Sequence, residues 1–371
     1  ENLLIAILGH PTRWQGLITY ISYFIIFTYT LNMMNSKYTK KLLMYVFISA
    51  LIIAVYSIIN YYGYDPINIP LRAFWETDID PYNTRATLGN RNIAGAYYSL
   101  LLPVSIYLFL MSSSKKNSIL LFFSTTIFFS GMVVSLTRVS WIGTALTCVL
   151  FLWFLRNNIK KYIKKIGLII VAFLVVTVLF DYTGGGQIVG RYFDLWNQVK
   201  VAQEDGNYAQ FGSNRMFAYK RALIAIKDHP ITGIGPECFV YYGRMTVEES
   251  KELSFPNRTF FDKAHSDYLE FAATMGIPSL IFYLWFLFSI FIPFVRKKDR
   301  IPTEMLAIFT GWTAYVVQAA FNFNAISVSP VFFVLSAILY KFLLAEKKGN
   351  RSESENLTIM ESDQVDKIAL T

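Results

Sequence analysis

Cysteine and histidine are almost absent from this chain, two of the first and three of the second among 371 residues. Cys148 falls inside an apolar run and Cys238 in a polar segment, so no disulfide is expected between them. The chain offers no carboxylate cluster of metal type, and neither cysteine suggests a metal site, so none is predicted. Charge is scarce too. Asp, Glu, Lys and Arg make up 16% of the residues and lie almost wholly outside the apolar runs, which argues against an ion-coupled transporter with ionisable groups at mid-membrane. Gln318, Asn322 and Asn324 form the main polar cluster at the end of a run.

What is abundant is apolar. Hydrophobic residues make up 54% of the chain and fall in unbroken blocks rather than amphipathic stripes. A bilayer-spanning helix needs about 20 mostly apolar residues. Nine segments qualify, at roughly 14–32, 42–60, 92–111, 118–136, 139–155, 166–181, 267–294, 303–322 and 327–344. The fold class is therefore all-α, a polytopic membrane helical bundle.

The net charge of +9 reports topology here rather than nucleic-acid binding. One set of connections carries eighteen basic residues, from Lys37 through Lys165 and Arg296 to Lys348 and Arg351. The alternate short connections carry five: Arg13, Arg72, Arg85, Arg91 and Arg138. The basic set is expected on the cytoplasmic side, and the segment from 182 to 264 on the outer side. No secretory-leader pattern opens the chain. Residue 1 is Glu, and the same alternation puts it outside, so an odd number of preceding spans is expected. The organisation predicted is N-terminal membrane helices over 1–181 with an outer connection at 61–91, a large extracytoplasmic loop over 182–264, C-terminal membrane helices over 265–345, and a charged, disordered cytoplasmic tail over 346–371.

Within the large loop, "GSNRMFAYKRALIAIKDHP" reads as an amphipathic helix capped by Ser213 or Asn214, with Met216, Phe217, Ala222, Leu223 and Ile226 on its apolar side and a stop at His229–Pro230. "TGIGPECF" follows as a tight glycine turn, with a phosphate cradle as the other reading. Acidic and basic residues nearly balance in this loop, so ion pairing is the simplest role for its arginines.

Arg85, Arg138, Arg191 and Arg215 all fall on the outer side or at its membrane edge. Arg138, in "SLTRVSW", occupies a tight turn between two spans, where it would anchor to lipid headgroups or bind an anion. Guanidinium groups match phosphate oxygens bidentately and stay charged. His265, in "DKAHSDYLEF", precedes a membrane helix whose dipole favours neutral imidazole. It is read either as a structural interfacial residue or as a proton acceptor for a hydroxyl nucleophile.

"TLGNRNIAGAYYSLLLP" at 87–103, "SLTRVSWIG" at 135–143, "NRMFAYKRALIAIKDHPITGIGPECF" at 214–239 and "AHSDYLEFAATMGIPSL" at 264–280 resemble four ordered signatures of the O-antigen ligase and polymerase family. "GHPTRWQGL" at 9–17 is similar to an earlier one. The resemblance implies a membrane glycosyltransferase of the C-type architecture. Such an enzyme takes a glycan from undecaprenyl pyrophosphate at the outer face of the cytoplasmic membrane and joins it to an acceptor hydroxyl on a glycan, lipid or protein, without metal or cofactor. By position, His265 would be the general base and Arg215 the pyrophosphate ligand. Arg138 would be a second phosphate contact. Arg191, in "GRYFDLW", is a looser match, and Arg85 rests on its neighbourhood. Arg91 departs from the pattern, where relatives often carry an uncharged residue. The reading from another class is a transporter or flippase of lipid-linked glycan.

Overall fold

The computed structural model describes residues 3–11, 13–33, 36–67, 84–205, 211–253, 260–297 and 301–347. Most of the 61–91 connection and nearly all of the expected disordered tail lie outside the described residues. Among the described residues thirteen α-helices are present: α1 Leu3–Leu8, α2 Leu17–Met33, α3 Ser36–Tyr61, α4 Arg91–Met111, α5 Lys115–Val134, α6 Arg138–Phe154, α7 Ile159–Thr183, α8 Gln187–Asp205, α9 Phe211–Asp228, α10 Val247–Glu252, α11 Asp267–Arg296, α12 Thr303–Ala319 and α13 Ser329–Lys347. Among the described residues there is no strand, only an isolated bridge between Arg244 and Phe260.

Each of the nine apolar segments forms a helix. Among the described residues six helices are long and apolar enough to cross a membrane: the Lys41–Tyr61 part of α3, then α4, α5, α7, α11 and α13. The other three, α2, α6 and α12, have 17 residues each. At about 1.5 Å per residue they reach roughly 25 Å, near the lower end of the spanning range. They stop short because polar turns cut the runs, at Leu155–Arg156 after α6 and at Asn322 after α12.

The chain divides into two compact units. One comprises residues 28–190, 292–316 and 334–371. Its centre is α4, buried from Ile93 to Leu110. Small residues let neighbouring helices approach, as expected where lipid supplies no hydrophobic drive between them. A Cβ on Gly95 would lie 2.4 Å from Ser140 Oγ, and one on Gly131 would lie 3.0 Å from the Tyr98 ring. Hydroxyl pairs join the helices at the same depths, Ser57 with Tyr98 at 2.5 Å, Ser105 with Thr125 at 2.7 Å and Thr144 with Ser99 at 2.7 Å. Lys165 Nζ donates to the carbonyls of Phe109 (2.8 Å) and Ser112 (2.6 Å), closing the C-terminal end of α4 with a cation where the helix dipole favours one.

The other unit comprises residues 1–27, 191–291 and 317–333 and holds most of the large loop. The amphipathic helix α9 is present, with two differences from expectation. Its buried face is Phe217, Ala218, Ala222 and Ala225, whereas Met216 and Leu223 are exposed. The alanines let the helix sit close to Phe239 and Phe261, which a longer side chain would prevent. Asn214 does not cap the helix. It adopts φ +65°, and its side chain donates to the Leu253 carbonyl at 3.0 Å.

The glycine turn and α11 explain one another. Gly276 breaks α11 with φ +84°, so carbonyls upstream of the break lose their helical partners. Ile234 N donates to the Ala273 carbonyl at 3.0 Å and Gly235 N to that of Thr274 at 2.9 Å. In return Ile277 N donates to the Pro230 carbonyl at 2.8 Å. A Cβ on Gly276 would lie 2.0 Å from the Ile231 carbonyl oxygen. The amides of Gly233, Ile234, Gly235 and Cys238 all donate within the fold, so this segment is a structural turn and not a phosphate cradle.

Candidate functional site

His265 stands two residues before α11, with Ser266 as the cap: the Glu270 amide donates to the Ser266 carbonyl at 2.8 Å. The histidine is half-buried and left-handed, φ +54°. For a residue with a ring on Cβ that conformation is strained and persists only where surrounding structure imposes it.

The imposing structure is a buried ionic cluster. Lys263, 4% exposed, pairs with Glu237, 1% exposed, and its Nζ lies 3.4 Å from Glu270, 5% exposed. Glu270 Oε2 also accepts the Ala264 amide at 2.7 Å, and Glu237 Oε2 accepts the His10 amide at 3.3 Å. One lysine thus ties the loop before His265 to the glycine turn and to the first turn of α11. Burial alone would lower the Lys263 ammonium, but Glu270 and Glu237 outweigh it and hold it above the ordinary lysine range. Glu237 is itself left-handed, φ +61°.

A second pair braces the other flank. Arg13 donates through Nε (2.9 Å) and Nη2 (2.6 Å) to Asp262 Oδ2. Burial opposes the Asp262 carboxylate, yet the Arg13 charge and its hydrogen bonds keep it below the usual carboxylate range. The same guanidinium lies over the Phe323 ring, 4.7 Å from its centroid. Phe323 meets His265 edge-on at 5.3 Å.

The 321–324 segment also receives Arg215, which donates to the Phe321 carbonyl. Asn324 accepts from the Gln15 side chain, and its amide donates to Asp267 Oδ1 at 3.0 Å. His265 and Arg215 are therefore brought to one short segment within one unit. Tyr219, one turn after Arg215 on α9, donates to the His265 carbonyl at 3.5 Å.

Arg191 lies on α8 in the same unit and faces Asp194 at 4.0 Å, three residues on. Arg85 and Arg138 belong to the other unit. There Arg138 begins α6, Arg91 begins α4, and Thr137 Oγ1 donates to the Arg91 carbonyl at 3.1 Å. Two helix N-termini, each opening on an arginine, meet at this point and make the neighbourhood favourable to an anion. Arg85 precedes a short 3₁₀ turn, Ala86–Leu88.

Backbone strain singles out the same places. Among the described residues six non-glycine positions have positive φ: Trp14, Ala86, Leu136, Asn214, Glu237 and His265. They stand next to Arg13, Arg85 and Arg215, two before Arg138, against Lys263, and at the histidine itself. Residues so held concentrate at functional sites.

Sequence reasoning missed Arg13, Glu237, Lys263, Asp267 and Glu270 as parts of the site. One signal was legible: Asp267 and Glu270 stand in the first turn of a long apolar helix, where carboxylates are costly unless partnered. Among the described residues no group of three or more His, Cys, Asp or Glu has metal-binding geometry. Both cysteines are free thiols.

Residues 120–284 match the family model described as O-antigen ligase. That stretch includes Arg138, Arg191, Arg215 and His265. No curated protein and no solved structure matches the chain significantly.

Proposed function

With residues 120–284 belonging to the O-antigen ligase family, a membrane glycosyltransferase family of ligase and polymerase type, we propose that this protein transfers a glycan from undecaprenyl pyrophosphate to an acceptor hydroxyl at the outer face of the cytoplasmic membrane. The observation that carries the reading is the strained, half-buried His265, braced by buried charges and sharing the 321–324 segment with Arg215.

In this reading His265 takes the proton of the acceptor hydroxyl as its oxygen bonds to the anomeric carbon of the donor sugar. The bond from that carbon to the pyrophosphate oxygen breaks, and undecaprenyl pyrophosphate leaves with the electron pair. Arg215 stabilises the charge that develops on it, and Arg138 provides a second phosphate contact. Arg191 and Arg85 contribute to substrate binding. Pyrophosphate is already a good leaving group, so the chemistry requires only a base and fixed cations.

A lipid-linked-glycan flippase is separated from this enzyme by its products. Purified protein in sealed vesicles without an ion gradient, supplied with lipid-linked glycan and acceptor, is expected to yield new glycosidic product and free undecaprenyl pyrophosphate. Donor that only changes leaflet, chemically intact, overturns the assignment.

A further inference from the structure

Helix α8 has three distinct faces. At 100° per residue, Val189, Tyr192, Phe193 and Trp196 fall within one sector about 100° wide. They are exposed by 45%, 60%, 63% and 70%. Ile188, on a neighbouring sector, is 2% exposed and packs with Tyr61 and Phe180. Arg191 and Asp194 occupy the opposite, polar side, and Lys200, on the same sector as the stripe, ends it. An aromatic stripe this exposed is not a core face.

The chain leading into α8 fixes its depth. Helix α7 begins with four lysines at 160, 161, 164 and 165 and then runs without charge from 166 to 180. Its exposed residues Val171, Leu174, Val175, Val178 and Leu179 are those a membrane span turns to lipid. Tyr182, 84% exposed, continues that surface at its polar end. Asp181 Oδ1 then accepts the amides of Ile188 and Val189, both at 2.9 Å, so α8 is pinned at its first turn to the last turn of α7. Gly185 (φ +67°) and Gly186 (φ +81°) supply the left-handed backbone of the short turn between the two helices. The stripe therefore starts within seven residues of the end of a span.

We propose that α8 is an interfacial helix, lying in the headgroup region with Val189, Tyr192, Phe193 and Trp196 inserted toward the acyl chains and Arg191 and Asp194 facing water. Tyr and Trp are the side chains that favour this zone, having an apolar body and a polar edge. Lipid is preferred over a protein partner as the occupant because the first turn of α8 is hydrogen-bonded to the last turn of a membrane span, and Tyr and Trp favour the zone where such a span ends. The proposal depends on α7 being a membrane span and not on the catalytic assignment.

Nitroxide labels are placed singly at 192, 193, 196, 191 and 194 in the full chain carrying Cys148→Ala and Cys238→Ala, reconstituted in phosphatidylethanolamine–phosphatidylglycerol vesicles. Collision rates are measured with oxygen, which concentrates in lipid, and with a water-soluble nickel chelate. The expected result is a several-fold higher oxygen-to-nickel ratio at 192, 193 and 196 than at 191 and 194. Equal, water-like ratios at all five positions overturn the proposal, as does exclusion of both reagents from the stripe, which signals protein cover. A second measurement leaves the native cysteines in place. Brominated lipid is expected to quench a smaller fraction of tryptophan fluorescence in Trp196→Phe than in the unaltered chain, and equal quenching counts against insertion.

Discussion

The imidazole of His265 stands edge-on to the ring of Phe323, centroids 5.3 Å apart, on a backbone held at φ +54°. That conformation makes the histidine costly to keep, and Asn is the non-glycine residue best suited to the left-handed region. His265→Asn is therefore expected to leave the thermal midpoint in detergent unchanged or raised, while transfer falls roughly 10²–10⁴-fold. A histidine retained for packing alone predicts the reverse, a lower midpoint with activity largely kept.

Arg215→Lys retains the charge but loses the planar fork. A fall in the transfer rate of roughly 10²–10³-fold is expected, the loss typical when one donor to a developing anion is removed. Michaelis analysis with the lipid-linked donor is the check, and wild-type kinetics would remove Arg215 from the site.

Lys263→Met leaves Glu237 and Glu270 buried without their cation. The expected destabilisation is about 3–5 kcal/mol, measured by denaturation in detergent. Adding Glu237→Gln and Glu270→Gln is expected to recover much of it, because the uncompensated charges are then gone. A neutral single variant would show that the cluster does not brace the loop.

Asp262 supplies a pH dependence. Its folded-state carboxyl is held below the unfolded value of about 3.9, so its stabilising contribution is present above that value and is lost as pH falls through the lower, folded one. Between pH 5 and pH 2 the thermal midpoint of the unaltered chain is expected to fall more steeply than that of Asp262→Asn. Parallel curves would mean that the Arg13 pair contributes nothing.

Much of the architecture was legible because a bilayer demands unbroken apolar runs, and residues such as those of 92–111 and 166–181 can satisfy no other environment. The short 303–322 run and the break in α11 were harder. "MGIPSL" carries a turn signal, but an apolar run reads through a single Gly276, and only the amides of Ile234 and Gly235 reveal that the helix is interrupted. His265 and Arg215 were singled out through motif order, and the structure brings both to the 321–324 segment. Lys263, Glu237 and Glu270 were missed because charges in a balanced polar loop look solvated, and pairing across 26 residues leaves no local pattern. Arg13 and Asp262, 249 residues apart, leave even less.

The most direct test of the account is a stoichiometric assay on purified, vesicle-reconstituted protein given defined lipid-linked glycan and acceptor. One undecaprenyl pyrophosphate should be released for each new glycosidic bond in the unaltered chain, and none in a folded His265→Asn variant. Product formation at the unaltered rate by His265→Asn, or disappearance of donor from one leaflet with no bond formed, would contradict it.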